Sequence, residues 1–165
     1  RTDHDDPSSK SVKLSDPVYN ASSVAALGVA AHECGLAIQH AKSYAPLSIR
    51  SALVPIANFG SMLAWPVILI GLFFNTRSSG LIIDIGILLF SAAVLFQLVT
   101  LPVEFDASRR ALVMLRTQGI LADDELKYTR RVLKSAALTY VASAAAAILQ
   151  LLRIILITNG RRRDD

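Results

Sequence analysis

The sequence predicts an all-α membrane protein with a short β element near residues 10–15, and three observations lead there. Hydrophobic residues make up 53% of the 165-residue chain, and its mean hydropathy is +0.46, high for a water-soluble domain. The charges avoid three long windows: Leu53 to Phe74 has none, Leu81 to Leu101 only Asp84, and Ala136 to Thr158 only Arg153. Each window exceeds the roughly 20 apolar residues that cross a bilayer core. Three buried core helices of this kind would leave so short a chain too little polar surface to cover them.

The elements follow in order. Ser11 to Ser15 alternates apolar and polar residues with period two and predicts a half-buried strand, ended by Asp16-Pro17. Asn20 or Ser22 can cap an alanine-rich helix over 22–42, apolar almost all round and so buried. Tyr44 to Arg50, with Pro46, reads as a connector. The spans 53–74 and 81–101 follow, joined by a polar turn over 75–80. Pro102 is placed to open an amphipathic helix over 103–118, which Gly119 stops. Ala122-Asp123-Asp124-Glu125 starts another helix with acids in its first turn, running on toward the third span, 136–158.

This divides the chain into four stretches: 1–50 with the alanine-rich helix, 51–101 as a transmembrane hairpin, 102–135 as polar helices, and 136–165 as a last span with a basic tail. Segments 1–50 and 102–135 then share one side of the membrane. They hold 12 Lys and Arg, against four on the other side, Arg77 and Arg161 to Arg163. By the positive-inside rule the first group is cytoplasmic. The lipid bilayer is thus the first expected partner. The net charge of +4 comes without exposed aromatics among the basic residues or any recognition motif, so nucleic acid is not expected. The single cysteine, Cys34, excludes an internal disulfide and a multi-cysteine metal cluster. The chain opens at Arg1 without an apolar signal segment and reads as a piece of a longer protein.

Chemistry-bearing residues concentrate in two places. His32-Glu33 lies mid-helix and matches the first half of HExxH. In that pattern two histidines at i and i+4 share one helix face and one zinc ion, while the glutamate acts as base on the metal-bound water. Leu36 stands where the second histidine belongs, and by itself the truncated pair does not specify a metal site. His40 cannot substitute, because eight residues carry it about 12 Å along the helix and about 80° round it. Nothing in the sequence positions His4, which suits a capping or surface role. Cys34 falls on another face and reads as a small buried hydrophobe. Gly28, one turn before His32, can admit close packing of another element. The second place is Glu104, with Asp106, Arg109 and Arg110 able to orient ligands around it. On spacing alone these residues also suit a solvated juxtamembrane helix with Asp106 paired to Arg110. Asp84 reads as interfacial, and Arg153 can snorkel or pair inside a bundle.

The stretch Ser23 to Gly35, containing His32-Glu33, resembles the active-site helix of the YugP-type neutral zinc metallopeptidases of bacterial membranes. Leu101 to Leu112, containing Glu104, is similar to that family's second signature, and Tyr44 to Leu47, Arg50 to Pro55 and Leu138 to Ala142 are similar too. The resemblance runs along nearly the whole chain. It implies a gluzincin-like zinc metalloendopeptidase of the bacterial inner (plasma) membrane, with His32 and Glu104 as Zn2+ ligands and Glu33 as catalytic base. Asp106, Arg109 and Arg110 would support the ligands, and an extended peptide or membrane-protein substrate would add to the strand near Ser11. The sequence departs from the family pattern at Leu36, and at Asp5, where an aromatic is expected. The Leu36 position predicts weak zinc binding and impaired hydrolysis. The alternatives are an inactive family member acting by binding, with a membrane-protein partner or as a homo-oligomer, and a purely structural membrane protein.

Overall fold

The computed structural model describes residues 3–15, 23–74 and 77–164, with side chains through Gly160. Among the described residues the chain forms a hairpin of β1 (His4–Asp6) and β2 (Ser11–Lys13), then helices α1 (Val24–Ala41), α2 (Ala45–Phe73), α3 (Ser79–Thr117) and α4 (Asp123–Asp164). The last three are long and apolar enough to cross a membrane. The all-α membrane class with a small β element is therefore what the chain adopts.

The elements sort into two compact units, one of residues up to Ser48 together with Thr100–Tyr140, the other of Ile49–Val99 and the residues from Val141 onward. In the first unit, β1 pairs antiparallel with β2, with His4 opposite Lys13 and Asp6 opposite Ser11. The expected strand over Ser11–Ser15 is shorter, and its partner, His4–Asp6, carries no period-two signal because two of its three residues are acids. Asp6 holds the turn. It accepts hydrogen bonds from the Ser8 backbone N–H (3.1 Å) and the Ser9 hydroxyl (2.7 Å), and pairs with Lys13 at 2.8 Å. The hairpin packs on α1. The cap of α1 is Ser23, whose hydroxyl accepts from the Ala26 N–H at 3.2 Å; Asn20, Ser22 and the Asp16-Pro17 stop lie outside the described residues.

The apolar core of this unit joins Ala31, Ala111, Leu115, Leu121 and Leu133 from α1, α3, α4 and the α3–α4 turn. That turn is built on Gly119, with φ of +65°. The Ile120 N–H reaches the Leu115 carbonyl at 3.0 Å and the Gly119 N–H reaches Arg116 at 3.1 Å, the double bond that closes a helix on a left-handed glycine. Helix α4 restarts at once: the Glu125 carboxylate accepts from the Ala122 N–H at 3.0 Å, as the acidic first turn predicts.

In the second unit, large apolar side chains point outward: Phe73 is 79% exposed, Leu88 71% and Leu156 72%. Many buried positions of α2 are small instead, Ala57, Gly60, Ala64 and Gly71 among them. A Cβ on Gly60 would overlap the Leu89 carbonyl, and Ala64 is fully buried, so α2 and α3 approach through small residues. Apolar groups outside and small ones between helices are the pattern of helices packed in lipid, where tails replace the hydrophobic core.

Two expectations need correction. Pro102 does not open a helix; it sits inside α3, which runs unbroken from Ser79 to Thr117. Residues 44–50 are not a connector, since α2 begins at Ala45 with Pro46 in its first turn and carries Pro55 and Pro66 inside. A proline loses one helical hydrogen bond. Ending a helix next to lipid would strand several backbone groups, so the helix tolerates the ring.

Candidate active site

His32 and Glu33 come from the middle of α1, Glu104 and Ser108 from successive turns of α3. What lets the two helices meet there is Gly35. A Cβ at that position would collide with the Ala107 carbonyl, so only glycine permits this approach. Two turns back from Gly35, Gly28 faces the Thr129 methyl of α4, with 2.8 Å from its Cβ position, the close packing expected of it.

The contact brings His32 Nε2 to 2.8 Å from Glu104 Oε2 although 72 residues separate them. The far ring nitrogen, Nδ1, lies 3.0 Å from the Ser108 hydroxyl. A hydroxyl can donate or accept, so Ser108 satisfies either imidazole tautomer and fixes the ring plane. Glu104 is 1% exposed, which requires a paired carboxylate. Glu33 is buried and shares with His32, Glu104, Ser108 and Tyr140 the wall of a cavity of about 140 Å³. That volume holds a few waters or one small side chain.

Asp106 accepts from Gln39 Nε2 at 2.9 Å, from Arg110 at 2.6 Å and from Arg109 at 2.5 Å. Gln39, fully buried on α1, also donates to the Val103 carbonyl at 2.8 Å. Arg110 stacks over the Tyr44 ring, 5.5 Å from its centre. Asp106 lies past the apolar stretch of α3. Burial pushes its pKa up, but hydrogen bonds from Arg110, Gln39 and Arg109 outweigh that and hold it at about 2. This network braces α1 on α3 about two turns along α1 from His32. Ser108 and Gln39 were not legible as site residues, since a single serine or glutamine carries no spacing signal.

Leu36 lies one turn beyond His32, but its side chain is not on the cavity wall. It is buried with Val103, Ala107 and Leu47 in a small apolar cluster of its own. Its side chain packs on the apolar residues that flank Glu104 in α3. His40 and Asp5 line a separate cavity by the hairpin. Burial pushes the Cys34 thiol up, and the negative charges of Glu33 and Asp5 add to this, leaving it in its unreactive protonated form. Among the described residues no three His, Cys, Asp or Glu side chains are placed to share a metal ion.

No solved structure matches the chain. A family model described as "putative neutral zinc metallopeptidase" matches residues 1–159. A relative from Bacillus subtilis (strain 168), described as "putative membrane protease YugP", is 45% identical over 161 residues, covering 97% of this chain and 70% of that protein. With the match running nearly end to end, the chain belongs to the neutral zinc metallopeptidase family.

Proposed function

We propose that this chain is a membrane-embedded member of the family that keeps the peptide-binding frame but has lost most or all zinc-dependent hydrolysis. The family implies a zinc ion. Catalytic zinc takes three protein ligands and leaves one position open. His32 and Glu104 supply two donors, already hydrogen-bonded to each other. The third position holds Leu36, which has no lone pair and is turned into the apolar cluster. The donor set does not fit a catalytic zinc ion, and this observation carries the reading. Glu33 stands where the family places its general base. The open edges of the β1–β2 hairpin suit an extended peptide, which can add as a further strand.

Slow residual hydrolysis is the second reading, favoured by Glu33, His32 and Glu104 all lining one cavity. The test is to purify the full chain in detergent without chelators, count zinc per chain, and follow both binding and cleavage of an unfolded membrane-protein peptide. Substoichiometric zinc with saturable binding and no cleavage is the expected result. One zinc per chain with turnover overturns it for the second reading. No saturable binding leaves a structural membrane protein. The excess of Lys and Arg in segments 1–50 and 102–135 supports a plasma-membrane orientation with the site on the cytoplasmic side. Reporter fusions after residues 120 and 76 should read cytoplasmic and external.

A further inference from the structure

The first unit contains a further, larger cavity that the chemistry above leaves unused. It measures about 420 Å³ and lies between α3 and α4. Its walls are apolar, with Phe105, Leu112, Val113 and Leu126 among them. Arg116, Arg130 and Lys134 stand around it, all exposed. Arg109 is there too, but Asp106 holds it. Among the described residues, the other three cations make no ion pair.

Two requirements meet here. The apolar walls call for an apolar filling, and the three clustered cations call for a counter-charge. One molecule meets both only if it is an amphiphilic anion. Position along the helices narrows the class. Lys134 is the last charge on α4 before the apolar stretch that begins at Ala136, and the cavity reaches Ala137. On α3, Phe105 sits two residues after Val103, where the apolar stretch gives out. The cavity is thus at the ends of two spans, the level at which headgroup phosphates lie and basic side chains meet anionic lipid. We propose that this cavity binds one anionic phospholipid, its phosphate held by Arg116, Arg130 and Lys134 and an acyl chain against the Phe105–Val113 wall. An acidic peptide would answer the charge but would leave that wall wet. The cavity shares Ser108, Leu133 and Ala137 with the one that holds His32 and Glu104, so a lipid bound here touches the wall of the candidate active site.

The experiment uses the full chain in nanodiscs of phosphatidylcholine with and without phosphatidylglycerol, with retained lipid counted by native mass spectrometry. The parent should retain one phosphatidylglycerol and no phosphatidylcholine. A juxtamembrane cation is worth about fivefold in affinity for anionic lipid, so R116Q/R130Q/K134Q should bind about a hundredfold more weakly. The pair K127Q/R131Q, exposed on the same helix but outside the cavity, should bind like the parent. Val113→Trp fills the cavity without changing charge and should also lose the lipid. Equal loss in both charge variants, retention in Val113→Trp, or equal retention of the two lipids overturns the proposal. Displacement of the lipid by a polyglutamate peptide or by inorganic phosphate alone also overturns it, in favour of a site for charge only.

Discussion

Restoring the missing donor is the most informative perturbation. Leu36→His puts an imidazole at i+4 from His32 on a turn facing the stretch of α3 that carries Glu104. The first consequence is a loss. Leu36 is 6% exposed and packed on Val103, Ala107 and Leu47. Removing a leucine from such a cluster costs about 2–4 kcal/mol, and burying an imidazole there adds to it. The second consequence is a gain that needs metal. A structural zinc site is worth roughly 10–16 kcal/mol over four ligands, so one ligand contributes about 3 kcal/mol, on the order of a hundredfold in affinity. The metal-free variant should therefore melt below the parent in detergent, and zinc should raise its melting temperature while leaving the parent unchanged. Zinc at about 1,000 times its dissociation constant stabilises by about 4 kcal/mol, enough to offset the loss. The assay is zinc per chain after dialysis against trace metal, a thermal melt with and without zinc, and cleavage of an unfolded membrane-protein substrate. If the variant binds no more zinc than the parent, the helix bearing His32 is not a disabled metal helix, and the donor argument fails.

Three further outcomes are expected. Ser108→Ala removes the partner of His32 Nδ1; it should cost about 1 kcal/mol of stability and, in the Leu36→His background, tenfold or more in zinc affinity, read by melting and metal titration. Gly35→Ala drives a methyl into the Ala107 carbonyl; it should destabilise by about 1–3 kcal/mol and lengthen the His32–Glu104 contact, seen as a changed His32 ring resonance in NMR. Asp6 is held well below the usual carboxylate range by hydrogen bonds from Lys13, Ser8 and Ser9. A depressed folded pKa adds stability that is complete above the unfolded value of about 3.9 and is lost as pH falls through the folded one. The protection of the β1–β2 hairpin amides relative to their intrinsic exchange rate should therefore fall on acidification below about pH 4, and Asp6→Asn should abolish that dependence.

What the sequence could reveal follows from which forces leave a periodic trace. The three spans were legible because lipid imposes composition over a whole window. The stop at Gly119 and the start at Glu125 were legible because helix ends need particular residues at particular offsets. Pro102 misled because the rule that proline opens a helix assumes water is available to take the freed backbone groups. The partner strand His4–Asp6 was invisible: its pairing rests on the Asp6 turn contacts and on α1 behind it, none of which alternate. In the site, His32 and Glu33 were legible as the first half of HExxH and Glu104 as a carboxylate on the same side, but only the family resemblance joined them into one site. Ser108 and Gln39 did not, because their roles exist only once α1 and α3 have met. Gly35 was legible only as the end of a motif, whereas its missing Cβ is what lets those helices touch.

The manner in which the site lacks its third ligand bears on whether it is a damaged zinc centre or a frame suited to having no metal. A histidine at position 36 in a metal-free chain would bury an imidazole among Val103, Ala107 and Leu47 with nothing to bond. Leucine removes that cost and adds apolar contact. Several of the remaining polar groups are then matched, His32 Nε2 with Glu104, His32 Nδ1 with Ser108, and Asp106 with Gln39 and two arginines, while among the described residues the buried Gln39 Oε1 finds no hydrogen bond. A buried ionisable pair whose partner was lost usually costs several kcal/mol, but here no half of the His32–Glu104 pair is left uncompensated. Metal entry would have to break a 2.8 Å hydrogen bond between two buried side chains for a site one donor short. The energetics therefore run against metal and toward the closed pair. A chain that folds stably around that pair needs no zinc to hold α1 on α3, which is the physical basis for expecting the proposed peptide binding to outlast hydrolysis.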